Sequence, residues 1–100
     1  MEIYYFMFEG IPSSDSPDKD ECAGAFINCW VDSTDMNSAL IKANNYINDE
    51  GWIVLSIEEQ CMANRNDYEG DSELEESLEC FDEALTEGIS AIFHIWTYDD

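Results

Sequence analysis

Eight residues, Ala25 to Asp32 (AFINCWVD), alternate Ala25, Ile27, Cys29 and Val31 with Phe26, Asn28, Trp30 and Asp32. A period of two is that of a β-strand, whose successive side chains point to opposite sides. One side of this strand is small and aliphatic and the other aromatic and polar, so the sheet that holds it has two unlike faces.

Three more segments read as strands. EIYYFMF (Glu2 to Phe8) is aromatic and apolar and stops at the turn signal Gly10-Ile11-Pro12. WIVLSIE (Trp52 to Glu58) is β-branched, sets Ile53, Leu55 and Ile57 on one side, and runs on toward Cys61. ISAIFHIWTY (Ile89 to Tyr98) closes the chain with β-forming residues. Residues 12–24, PSSDSPDKDECAG, hold both prolines, three serines and four acids and read as a solvent-exposed loop.

Two segments carry the helical period. Ser33-Thr34-Asp35 offers capping side chains ahead of Met36, Leu40, Ala43 and Ile47, and Gly51 supplies the stop. After the turn-rich NRNDYEG, Leu74, Leu78, Phe81 and Leu85 recur at intervals of 4, 3 and 4 from a start at Asp71 or Ser72, and Gly88 ends the helix. The order ββαβαβ predicts one α+β domain over residues 1–100, a two-layer sandwich with a four-stranded mixed sheet and both helices on one face.

Composition narrows what such a domain does. Hydrophobic residues make up 45% of the 100, enough for a packed core. The longest apolar run, Ile3 to Phe8, is far short of a membrane-spanning helix, and Glu2 stands where a secretory leader carries a base. Four cysteines at gaps of 7, 32 and 19 form neither a zinc ribbon nor a CxxC redox pair, so four reduced thiols in a cytoplasmic protein are expected.

Charge is the outlying property. Twenty-four acids face three bases, Lys19, Lys42 and Arg65, for a net −21. Such a chain repels nucleic acid and anionic membranes and attracts basic proteins and divalent cations. Its own repulsion weakens the folded state, so stability is expected to rise with salt.

With both helices on the aliphatic side, the other face would present Phe26, Asn28 and Trp30, then Trp52, Val54 and Ser56, then His94, Trp96 and Tyr98. That is more apolar surface than a monomer leaves open. It predicts an interface for a second copy or another protein through Phe26, Trp30, Trp52, His94, Trp96 and Tyr98, unless the loop of residues 9–24 folds over it or a small molecule occupies it.

Catalytic and metal readings fare worse. His94 is the one histidine, and the alternation puts it on the face opposite Cys29, so a Cys-His nucleophile is not built; the bland reading is a hydrogen-bonded sheet histidine. The acidic loops at residues 15–24 and 64–73 fail the calcium-loop spacing, with Cys22 and Tyr68 at positions where carboxylates belong. No cofactor motif, phosphate loop or basic groove is present, and no enzyme activity is expected.

The second helix remains. Between Ser72 and Glu87 it carries Glu73, Glu75, Glu76, Glu79, Asp82, Glu83 and Glu87, about one charge per 3.4 Å of axis, the phosphate spacing of a DNA strand. With Asp67, Glu69 and Asp71 this makes an acidic surface for an inhibitor or immunity-type protein, a DNA mimic included, that neutralises a basic partner. The plain alternative is a solvated helix face. Acids at the helix C-terminus, Asp82, Glu83 and Glu87, oppose the helix dipole and have no local base to offset them.

Overall fold

The computed structural model describes residues 2–14 and 22–97. Along them run β1 (Glu2–Pro12), β2 (Cys22–Ser33), α1 (Met36–Asp49), β3 (Trp52–Ala63), two 3-10 turns (Arg65–Asp67 and Ser72–Leu74), α2 (Glu75–Glu87) and β4 (Ile89–Thr97). The fold is α+β: one four-stranded sheet in the order β3-β1-β2-β4, and two helices.

Every neighbouring pair of strands is antiparallel, so the expected mixed sheet is corrected to an antiparallel one. β2 and β3 both oppose β1 and therefore run parallel to each other, but β1 lies between them and α1 carries the chain past it. The parallel relation exists without a parallel ladder.

α1 starts where the capping run indicates. The Asp35 carboxylate accepts from the Ser38 backbone N–H at 2.7 Å, which holds Asp35 below the usual carboxylate range. The helix buries Ala39, Ala43 and Ile47 against Tyr4, Phe6, Phe8, Ala25, Ile27, Cys29, Val31 and Trp52. Each fully buried side chain of the size of Ile27 or Ile47 stabilises the fold by about 1.5–3 kcal/mol.

α2 buries a different set. Cys80, Phe81 and Ala84 pack on Ile3, Trp30 and Ala63, with Tyr5, Tyr68 and Ile92 at the margin. Trp30 and Cys29 are consecutive on one strand and so face opposite ways. The helices accordingly lie on opposite sides of the sheet, and the arrangement with both on one face is corrected. The reason is burial: Ile3, Trp30 and Ile92 make the second face as apolar as the first at the end where β3 finishes, and α2 has an apolar stripe to cover it. That stripe is also rotated from the one expected, since Leu85 is exposed and Leu74 falls in the 3-10 turn.

β3 holds the other departure. Its pairing with β1 shifts between Met7 and Phe8 and between Glu9 and Gly10, so Glu58 and Leu55 are bulged out. Counted from Ile57, which pairs with Phe8 on the α1 side, the extra residue Leu55 reverses the alternation. Trp52 and Val54 thereby lie on the α1 side, in the core that Ile53 and Leu55 were expected to join, while Ile53 and Leu55 are exposed. The Trp52 ring reaches that of Phe93, 5.9 Å away, over the facing pair Gly10 and Ala25, although their strands are the two edges of the sheet.

β1 also runs further than the turn signal suggests, pairing through Gly10, Ile11 and Pro12 with β3. A proline donates no hydrogen bond, and this one ends its strand.

Candidate interaction surface

Among the described residues, the two helices leave an apolar region of the α2 face uncovered. α2 spans the end of its face marked by Ile3, Trp30 and Ala63; toward the other end the same face carries Tyr5 and Met7 of β1, Phe26 and Asn28 of β2, and His94 and Trp96 of β4. Register places them together: Met7 is opposite Asn28, Phe26 opposite His94, and Gly24 opposite Trp96.

Two interactions organise this area. The Phe26 and Trp96 rings stand 5.1 Å apart at 52°, and Phe26 is 38% exposed. The Trp96 indole lies down over Gly24, where a Cβ would come within 2.5 Å of it. Glycine in this strand is thus the small residue that lets a large ring rest on the backbone.

Beside the rings runs a polar chain. The Tyr5 hydroxyl donates to Asn28 Oδ1 at 3.1 Å, and Asn28 Nδ2 lies 3.1 Å from His94 Nε2. Because the Asn28 oxygen is taken by Tyr5, its amide nitrogen is the atom that faces His94 Nε2, which accepts in the tautomer protonated on Nδ1. Tyr5 also meets Trp30, with centroids 5.2 Å apart. Burial, then the nearby Glu59 carboxylate, pushes the Tyr5 phenol up to about 12.

This chain orients His94 but gives it no nucleophile. Cys29 is buried under α1 on the opposite face, where burial pushes its thiol up to about 12. Cys61 shares the face of Tyr5 but sits on β3, three strand spacings from β4, about 14 Å. Among the described residues no group of three His, Cys, Asp or Glu could hold a metal ion.

The six aromatic and imidazole residues expected to form one interface are therefore divided. Phe26, His94 and Trp96 share the open area. Trp30, 1% exposed, is sealed by α2 and donates through Nε1 to the Tyr68 hydroxyl at 3.1 Å. Trp52 is in the core below α1. Tyr98, like residues 15–21 of the acidic loop, lies outside the described residues. The same alternation that divides Ala25 to Asp32 runs through Ile3 to Phe8 and puts Tyr5 and Met7 on this face.

The acidic surface is likewise not uniform. Arg65 grips Asp82 with Nε at 2.9 Å and Nη2 at 3.1 Å and reaches Glu69 with Nη1, so two of the ten acids are spent joining the β3 exit to α2. Asp71 caps the turn that leads into α2, accepting from the Glu73 N–H at 2.9 Å. Glu73, Glu75, Glu76, Glu79, Glu83, Glu87 and Asp67 are exposed. An open cavity of about 310 Å³ lies between Tyr68, Gly70, Asp71, Ser72, Glu75 and Leu78.

The base missing from the last turn of α2 comes from another element. Lys42 of α1 donates to the Asp32 carbonyl oxygen at 3.4 Å, and its Nζ lies 2.9 Å from where a Cβ on Gly88 would be. An ammonium thus stands at the C-terminus of α2, where the dipole favours it.

Comparisons with protein-family models, curated proteins and solved structures find no match. Among the described residues no helix is long and apolar enough to cross a membrane.

Proposed function

We propose that this protein is a non-enzymatic binding module of the cytoplasm that docks a basic partner protein on the half-face α2 leaves open. One observation carries the reading: the partly exposed Phe26–Trp96 ring pair lies beside the Tyr5–Asn28–His94 chain on a continuous sheet. Aromatic anchors flanked by oriented polar groups, on strands rather than loops, are the make-up of an energetic centre in a protein interface.

Charge supports the nature of the partner. A net −21 steers basic proteins toward the molecule and turns away nucleic acid and anionic lipid, and on the same face Glu9 stands opposite Phe26 and Glu59 opposite Met7. Four unpaired thiols support a reducing compartment.

A second reading gives the contact to the acidic helix itself, as in an inhibitor or DNA-mimicking immunity-type protein. Its support is that Glu75, Glu76, Glu79, Glu83 and Glu87 stay exposed while Arg65 is occupied by Asp82 and Glu69.

Capture of basic proteins from the parent cell's lysate at low salt separates the two. On the sheet-face reading, Phe26→Ser abolishes capture and a combined Glu75→Gln, Glu76→Gln, Glu79→Gln variant only slows association. The reverse pattern would give the contact to α2, and no capture by the unaltered protein would refute both.

A further inference from the structure

His94 is exposed on the outer strand β4, at one end of a hydrogen-bonded row that crosses three neighbouring strands. The row runs inward through Asn28 of β2 to the hydroxyl of Tyr5 on β1, and both of those side chains are partly buried. Its direction is fixed by what each group can give. The phenol gives its proton to Asn28 Oδ1, which leaves Nδ2, a donor, facing an imidazole nitrogen that has to accept. Imidazole is the one side chain whose unperturbed charge change falls between about pH 5 and 8. Once Nε2 is protonated both ring nitrogens donate, and Asn28 Nδ2 then sets a donor against a donor. The row as it stands fits only the neutral ring.

We propose that the row is a two-state relay that reverses when His94 takes up a proton. The Asn28 amide turns over about its last side-chain bond, a soft two-fold rotation that exchanges oxygen and nitrogen without moving the backbone. Oδ1 then accepts from His94 Nε2, Nδ2 donates to the Tyr5 oxygen, and the Tyr5 hydroxyl proton turns away from Asn28. One proton enters from solvent and none is passed along; each neighbour exchanges its role. Phenol and carboxamide can both donate and accept, so neither loses its bond to the other in the exchange. At the outer end a neutral hydrogen bond becomes a charge-assisted one, which favours the reversed row.

The charged and titratable groups around the row do not oppose the imidazolium. β4 supplies no acid or base from Ile89 to Thr97, and the residue opposite His94 on β2 is Phe26. From β1, Glu9 stands beyond Phe26, and from β3, Glu59 and Cys61 lie near Tyr5 at the inner end. From α2, Glu76, Glu79 and Glu83 lie round Cys80, which is hydrogen-bonded to Ser90, four residues before His94. None of these is a base. The new charge arises beside Phe26 and Trp96, and there it opposes a basic partner. That consequence, docking that weakens on acidification, rests on the docking proposal; the relay itself does not.

The test is nuclear magnetic resonance on the full chain, without a partner, from about pH 8 to 5. With one histidine in the sequence, the titrating ring is identified directly. At the alkaline end the ring nitrogen shifts are expected to show Nδ1 protonated, with cross-peaks from the Asn28 amide protons to the His94 ring. At the acid end those cross-peaks are expected to move to the Tyr5 ring, with the midpoint of the His94 titration. In Tyr5→Phe nothing holds Oδ1 inward, so His94 is expected to titrate about 0.5 pH unit higher than in the unaltered protein. Asn28 cross-peaks that stay on His94 at both ends would overturn the relay. So would an Nε2-protonated ring at the alkaline end, Tyr5 signals that move only in the carboxylate range with Glu59, or an unchanged or lower midpoint in a folded Tyr5→Phe.

Discussion

The indole Nε1 of Trp30 donates to the phenol oxygen of Tyr68 at 3.1 Å, joining the most buried ring of β2 to the loop that leads into α2. Tyr68 in turn stands 6.0 Å from the Phe81 ring of that helix. Tyr68→Phe keeps the ring contacts and leaves a buried N–H without its acceptor, so it is expected to lower the unfolding free energy by about 1–3 kcal/mol. Urea denaturation followed by tryptophan fluorescence measures it; an unchanged midpoint would show that water replaces the phenol.

Gly88 ends α2 with φ at 92°, a left-handed conformation, and hands its carbonyl to the Asp32 N–H at 3.0 Å. Gly88→Ala meets two penalties. The backbone strain is about 1–2 kcal/mol, and the new methyl displaces Lys42 Nζ from the end of the helix. Thermal melts should show the loss, and Lys42→Met should make the alanine variant less harmful by removing the atom it strikes.

Tyr5 gives the fold an alkaline limit. Its phenol is raised from 10.0 to about 12, chiefly by burial. The neutral form is thus favoured in the folded state. This contribution is fully present below the unfolded value and is lost as pH rises through the folded one. Stability should fall between those two values, and Tyr5→Phe should flatten the decline. Denaturant midpoints measured at intervals across that window check it; parallel curves for the two proteins would refute it.

Arg65 and Asp82 give the complementary acid limit. The guanidinium holds the Asp82 carboxyl below its ordinary value, so the pair's contribution is present above the usual carboxylate range and is lost as pH falls through the lowered one. Both side chains are about half exposed, and the effect of Asp82→Asn at neutral pH should be small and reduced by salt. Against that local loss, the melting temperature of the whole protein should rise with salt as repulsion among its 24 acids is screened. Calorimetry at low and high salt tests both signs, and a melting temperature independent of salt would count against the repulsion.

Much of the fold was legible because it is local. Asp35 caps α1, Gly88 ends α2, and AFINCWVD divides its side chains as the alternation requires, since each depends on a few neighbouring residues and the geometry of one element. The acids of α2 could be counted but not weighed: whether Asp82 is free or held depends on Arg65, seventeen positions away, and whether the helix end is uncompensated depends on Lys42 of another helix.

The α+β class, the cap of α1, the glycine stop of α2 and the two-faced character of β2 are written in short stretches, because hydrogen-bonding period and capping chemistry are local properties. The fate of the three tryptophans is not. A one-residue bulge at Leu55 turned Trp52 into the core, α2 chose the second face and sealed Trp30, and Trp96 stayed half open over Gly24. Those outcomes rest on parity and on which distant surfaces bury each other, and neither is written in any single segment.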